Sequence, residues 1–134
     1  MKKFFPMLAV TMLLLLAAYP HIMASGSSYQ QPWQTITASE ARRIMMMSDD
    51  YILLDVRTEA EFRERRIAGA ILMPVAEITD RAEAELPSKD AVILLYCRSG
   101  RRSASAAASL AELGYTNIHD FGGILNWPYE VVGE

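Results

Sequence analysis

The residues predict an α/β fold in which a central, mostly parallel sheet of about five short strands is flanked by helices on both faces. Short, bulky apolar runs at 51–54, 71–73 and 92–96 read as buried strands, and segments with helical spacing separate them. The connections are short, so successive strands run parallel and are joined by right-handed crossovers. Two of the apolar runs end in chemistry: Asp55-Val56-Arg57 follows the first, and Cys97-Arg98-Ser99-Gly100-Arg101-Arg102 follows the last. The carboxyl ends of strands are where open α/β sheets place their ligands.

At the start of the chain, Lys2 and Lys3 precede an apolar stretch over 4–18 and then Tyr19-Pro20-His21-Ile22-Met23-Ala24-Ser25, the layout of a secretory signal. The apolar stretch is short of a comfortable membrane span. Cleavage is expected after Ala24, with Ala18 as the alternative site and an uncleaved membrane anchor as the remaining alternative. Residues 1–24 are therefore read as a signal peptide exporting the chain, most simply to a bacterial periplasm. Residues 25–32 are read as a polar linker and 33–134 as the folded domain.

Within that domain, 33–36 is a brief edge strand. Thr37 and Glu40 stand at capping-box spacing and open a helix over 38–47. Met45, Met46 and Met47 point in three directions on such a helix, so they read as core filling rather than as a metal-binding patch. The strand at 51–54 leads into Asp55 and Arg57, and Thr58 with Glu61 repeats the capping-box spacing to open a helix over 59–65. Pro74 closes the strand at 71–73. A charged helix over 78–86, with Asp80, Glu83 and Glu85 on a solvated face, is ended by Pro87 and the Ser88-Lys89-Asp90 turn. After the strand at 92–96, Ala106, Leu110 and Leu113 mark the apolar face of a helix over 103–113, which Gly114 stops. Residues 117–120 form a last short strand at the sheet edge. Gly122 and Gly123 then permit close backbone approach, and Trp127 covers one end of the sheet.

The loop from Cys97 to Arg102 joins a strand's carboxyl end to a helix's amino end. Inward-turned backbone N–H groups and the helix dipole make such a loop suited to an anion. A thiolate is an anion. Bringing a thiol from pKa about 8.5 to about 6.5 requires about 2.7 kcal/mol of preference for the charged form, and a helix terminus supplies only about 0.3–1 kcal/mol. Inward amides and some of Arg98, Arg101 and Arg102 must contribute the rest. Cys97 is thus the candidate nucleophile, against the alternative of a buried structural cysteine. Asp55 either braces the cysteine loop through backbone N–H groups or forms a buried structural pair with Arg57, and Arg57 in the first case is free to bind an anionic substrate.

Removing Lys2 and Lys3 leaves 11 basic against 16 acidic residues, a net charge of −5 that argues against nucleic-acid partners. With one cysteine there is no internal disulfide, so core packing must hold the domain together. No ligand spacing suggests a metal, and no cofactor is called for.

Leu54-Asp55-Val56-Arg57, Glu61-Phe62, Ile67-Ala68-Gly69-Ala70, Tyr96-Cys97-Arg98-Ser99-Gly100-Arg101-Arg102-Ser103, Leu113-Gly114-Tyr115 and Gly122-Gly123 with Trp127 together resemble a single-domain rhodanese. The resemblance covers nearly all of the chain after the linker. It implies the rhodanese-like fold, and it implies that Cys97 takes a sulfane sulfur from a donor, holds it as a persulfide, and passes it to a nucleophilic acceptor. The loop of Arg98, Ser99, Gly100, Arg101 and Arg102 would then cradle the persulfide and bind a small anionic donor. Many members carry His where Arg66 stands here, at a position peripheral to the sulfur chemistry. Arg98 and Arg101 suit a sulfonate-like donor such as thiosulfate. With no neighbouring thiol, the acceptor comes from outside as a small thiol, cyanide or a partner protein's cysteine, and a monomer is the favoured state. Two rival readings are a non-catalytic module of the same fold and a cysteine-dependent phosphatase or arsenate reductase. The latter places its arginine six positions after cysteine, where Ser103 stands here.

Overall fold

The computed structural model describes residues 31–86 and 88–134. The expected signal peptide, most of the linker and Pro87 lie outside the described residues. Five strands form one sheet: β1 (Gln34–Thr35), β2 (Ile52–Asp55), β3 (Ile71–Leu72), β4 (Ile93–Cys97) and β5 (Ile118–Gly123). Their order is β1-β5-β4-β2-β3, and every pairing in it is parallel. Four helices connect them: α1 (Ala38–Met47), α2 (Glu59–Glu64), α3 (Ile78–Glu85) and α4 (Arg101–Glu112).

The side-chain alternation of β4 divides the core. Ile93, Leu95 and Cys97 face one side, where they pack with Ile78 and Ala82 of α3 and Ala106, Ala107 and Leu110 of α4. Leu94 and Tyr96 face the other, against Ala41 of α1 and the Phe121, Ile124 and Trp127 group. Every residue of β4 is buried, as expected for a strand with helices on both faces. Both capping boxes form: Glu40 accepts from the Thr37 amide at 2.7 Å, and Glu61 accepts from the Thr58 amide at 3.0 Å.

Two expectations are corrected. The last strand is not at the edge. It lies between β1 and β4 and continues through Gly122 and Gly123, because Ile118, Asp120, Phe121 and Gly123 are buried. The edge goes to the two-residue β1, whose residues are both exposed, a short polar strand of the kind that closes a sheet without inviting further pairing. The methionines also divide. Buried Ala41 and partly buried Ala38, Ile44 and Met45 make the core-facing stripe of α1, while Met46 and Met47 are 73% and 76% exposed. A stripe at this spacing ends on Met45, and the next two positions rotate away from the core.

The chain's last residues form an unanticipated contact. Arg66 and Val132 exchange backbone hydrogen bonds of 2.8 Å as an antiparallel bridge, and the Glu134 amide donates to the Arg63 carbonyl at 3.0 Å. Between them Gly133 lies so close that a Cβ there would sit 2.2 Å from the Glu64 carbonyl oxygen. Gly133→Ala is therefore expected to loosen this segment at a cost of about 1–3 kcal/mol. Amide hydrogen exchange at Arg66 and Val132 should accelerate, and unchanged exchange there would contradict the tight approach.

Candidate active site

Strand parity points Cys97 toward the face covered by α4, and Gly100 brings the helix's amino end back to it. Gly100 has φ +110°, a conformation that costs glycine little. Helix α4 consequently begins at Arg101, two residues before the expected start, and Arg101 and Arg102 belong to its first turn. The Gly100 amide donates to Cys97 Sγ at 3.0 Å, and Ser103 Oγ lies 3.7 Å from the same sulfur. Cys97 is 1% exposed and so forms the floor of the bowl. Burial pushes its thiol up, but the Ser103 amide and hydroxyl, with the Gly100 and Ser99 amides, outweigh burial and hold the pKa below its ordinary value.

The end of β5 supports the bowl from below. Ser103 Oγ is also within 3.0 Å of the Gly100 carbonyl and 3.3 Å of the Gly122 carbonyl. Gly122, at φ +84°, is fastened by its amide donating to the buried Asp120 carboxylate at 2.9 Å. Burial raises the Asp120 pKa, with the Gly122 amide and Ser103 opposing. Gly123 approaches the loop so closely that a Cβ there would meet the Arg98 carbonyl oxygen at 2.1 Å. Gly123 thus permits the close backbone approach expected of it, whereas a Cβ at Gly122 would meet nothing within 4 Å and that glycine serves its positive φ instead.

The charged residues divide by role. Arg102 does not reach toward the sulfur as a free cation. Its two terminal nitrogens hold the Glu61 carboxylate at 2.8 Å each, tying α4 to α2. Arg102 foremost, against burial and with help from Thr58, holds Glu61 at a pKa of about 2. Hydrogen-bond donors supply the main lowering at Cys97, and Arg102, although paired with Glu61, also interacts electrostatically with the Cys97 sulfur. Asp55 is fully buried. It accepts from Arg57 Nε at 2.9 Å and Nη2 at 2.6 Å, from the Arg57 amide at 3.0 Å and from the Tyr96 hydroxyl at 2.8 Å. These bonds place Asp55 with Arg57 and Tyr96 rather than on the loop amides. Ser99, Arg98 and Arg101 are exposed on the rim. Beside the loop, Arg57, Glu61, Glu64, Arg65, Arg98, Ile124 and Leu125 line a pocket of about 450 Å³.

Sequence reasoning missed Ser103, Asp120 and the second role of Glu61. The capping-box spacing accounted for Glu61 fully, and only the packing of α2 against α4 reveals its partner. Among the described residues, no group of three His, Cys, Asp or Glu side chains is placed to hold a metal ion.

A parallel sheet whose central strand ends in a cysteine enclosed by amides at a helix start, its thiol pKa held below the ordinary value, defines an α/β protein with a candidate cysteine-dependent active site. The Rhodanese-like domain model matches residues 37–129. The chain is 34% identical over 71 residues to thiosulfate sulfurtransferase PspE of Escherichia coli, covering 53% of this chain and 68% of that protein. It is 40% identical over 81 residues to a sulfurtransferase of Allochromatium vinosum, covering 60% and 74% respectively. The solved structure of a rhodanese with anions from E. coli superposes with a TM-score of 0.59 at 30% identity, over 63% of this chain and 99% of that one. The chain belongs to the rhodanese family, and it is a rhodanese-like enzyme.

Glu61→Gln keeps the capping box, which glutamine also forms, but weakens the pair with Arg102. It is expected to cost about 1–2 kcal/mol near neutral pH. Because the folded pKa of about 2 lies below the ordinary 4.5, the stabilisation is full above pH 4.5 and is lost as pH falls toward 2. The two proteins' urea stabilities should therefore converge on acidification, and a constant gap across that window would refute the assignment. Gly123→Ala should displace the loop at Arg98 and raise the pH midpoint of the Cys97 alkylation rate through a lost thiolate fraction. An unchanged alkylation profile would show the loop to be independent of β5.

Proposed function

We propose that this protein is a thiosulfate sulfurtransferase acting through a Cys97 persulfide. The 3.0 Å hydrogen bond from the Gly100 amide to Cys97 Sγ carries the reading. In the first step the Cys97 thiolate attacks the outer sulfur of thiosulfate, the bond to the sulfonate sulfur breaks, and sulfite leaves with its electron pair. The inward amides then hold the negative charge on the outer sulfur of the persulfide. In the second step an acceptor nucleophile takes that sulfur, and the Cys97 thiolate is restored. The rim arginines Arg98 and Arg101 attract the anionic donor. The engagement of Arg102 with Glu61 favours sulfur chemistry over phosphate-ester hydrolysis, which would need that guanidinium at the transferred group. The lowered thiol pKa favours an enzyme over a non-catalytic module of the same fold. The amino-terminal pattern, Lys2 and Lys3 before an apolar run, supports export to a bacterial periplasm.

Mass spectrometry after thiosulfate treatment should show one added sulfur atom on the wild type and none on Cys97→Ser. No addition to either would sink the persulfide route. The rate of Cys97 alkylation should titrate with a midpoint below about 8.5. A midpoint at or above that value would mean that the amides do not stabilise the thiolate.

A further inference from the structure

The 450 Å³ pocket beside the loop falls in the range of small-molecule sites. It is much larger than thiosulfate or cyanide requires. Arg98, next to Cys97 in the chain, forms one wall, and Glu61, tied to Arg102 at the other end of the loop, forms another. The apolar wall is Ile124 with Leu125, and Leu125 is 55% exposed.

The ion pairs decide which charges a ligand meets. Arg57 is neutralised by Asp55 and Glu61 by Arg102. Arg65, Arg98 and Glu64 enter no ion pair among the described residues. The uncompensated lining is thus two guanidinium groups against one carboxylate, with a short aliphatic strip alongside. Two cations with a hydrocarbon wall select a ligand that carries a carboxylate on a short carbon chain. The positions of Glu64 and Arg65 are set by the bridge between Arg66 and Val132 and by the close approach of Gly133 to the Glu64 carbonyl. The backbone that carries this wall is therefore fixed, while the Glu64, Arg65 and Arg98 side chains themselves are exposed.

We propose that this pocket is the acceptor subsite and that it takes a small thiol bearing a carboxylate, held by Arg65 and Arg98 with its carbon chain along Ile124 and Leu125. The assignment rests on the persulfide reading above. The bound persulfide anion takes the acceptor thiol's proton, the acceptor thiolate so formed attacks the outer sulfur, the sulfur–sulfur bond to Sγ breaks, and Sγ leaves as the thiolate. The acceptor departs as a persulfide carrying the proton, so no external oxidant or reductant enters.

The test is a single-turnover transfer from protein first loaded with thiosulfate, with the added sulfur verified by mass before the acceptor is mixed in. The probes are 3-mercaptopropionate and the neutral 2-mercaptoethanol, each compared by its half-saturating concentration rather than by its maximal rate. The carboxylated thiol should half-saturate at about tenfold lower concentration, as one charge-assisted contact implies. Arg65→Gln should shrink that ratio toward one, whereas Glu64→Gln, which removes the opposing carboxylate, should widen it. Opposite signs from neighbouring variants would not arise from general unfolding. Equal half-saturation by both thiols in the wild type, or a ratio indifferent to both substitutions, overturns the subsite and leaves the persulfide chemistry standing. Failure of the added sulfur to appear overturns both.

Discussion

The site depends on the meeting of one backbone amide with one sulfur. The Gly100 N–H reaches Cys97 Sγ because the chain reverses at a left-handed glycine, and a side chain in that conformation would be strained. Nothing else in the site could substitute for that reversal. The thiol is buried, and burial alone would keep it protonated. The Ser103, Gly100 and Ser99 donors win because they are all aimed at one atom and were already fixed by the start of α4. The thiol pKa is therefore lowered chiefly by hydrogen-bond donors around the loop, with Arg98 and Arg101 left to the rim.

That geometry needs support on the side of the loop away from solvent, and β5 provides it. The Asp120 carboxylate secures Gly122, the Gly122 carbonyl meets Ser103, and Gly123 fits under Arg98 with no room for a Cβ. Strand β5 can do this because it pairs directly with β4. Its placement between β1 and β4 puts its carboxyl end directly beside that of β4. On the flank, the pairing of Glu61 with Arg102 ties α2 to the first turn of α4, and Asp55 with Arg57 and Tyr96 joins β2 and β4 across their carboxyl ends. The buried pair of Asp55 and Arg57 is costly to desolvate, and it is tolerated because Tyr96 and the Arg57 amide satisfy the remaining oxygen positions.

Much of this was legible in the residues. The α/β order, both capping boxes and the bounds of α1 follow from local patterns, because hydrophobic period and capping chemistry act over a few residues. The candidate nucleophile was equally legible, since a lone cysteine followed by a glycine and arginines makes a poor core. What failed were readings that needed a partner from elsewhere. Met46 and Met47 were assigned to the core from their type, yet exposure is decided by which stripe of α1 faces the sheet. Arg102 was read beside the sulfur from its nearness in sequence, and only the fold shows that it also pairs with Glu61, far away in sequence.

The sequence by itself determined the elements and the strand end that carries the candidate nucleophile, because each is written in residues close to one another along the chain. Only the tertiary structure decided which donors lower the thiol pKa, which arginine pairs with Glu61, where the last strand lies and which residues wall the neighbouring pocket. Those outcomes depend on strand order and helix packing, which bring Glu61, Cys97, Asp120 and Gly133 into their positions by contacts between distant segments. A charge's effect is set by what surrounds it after folding.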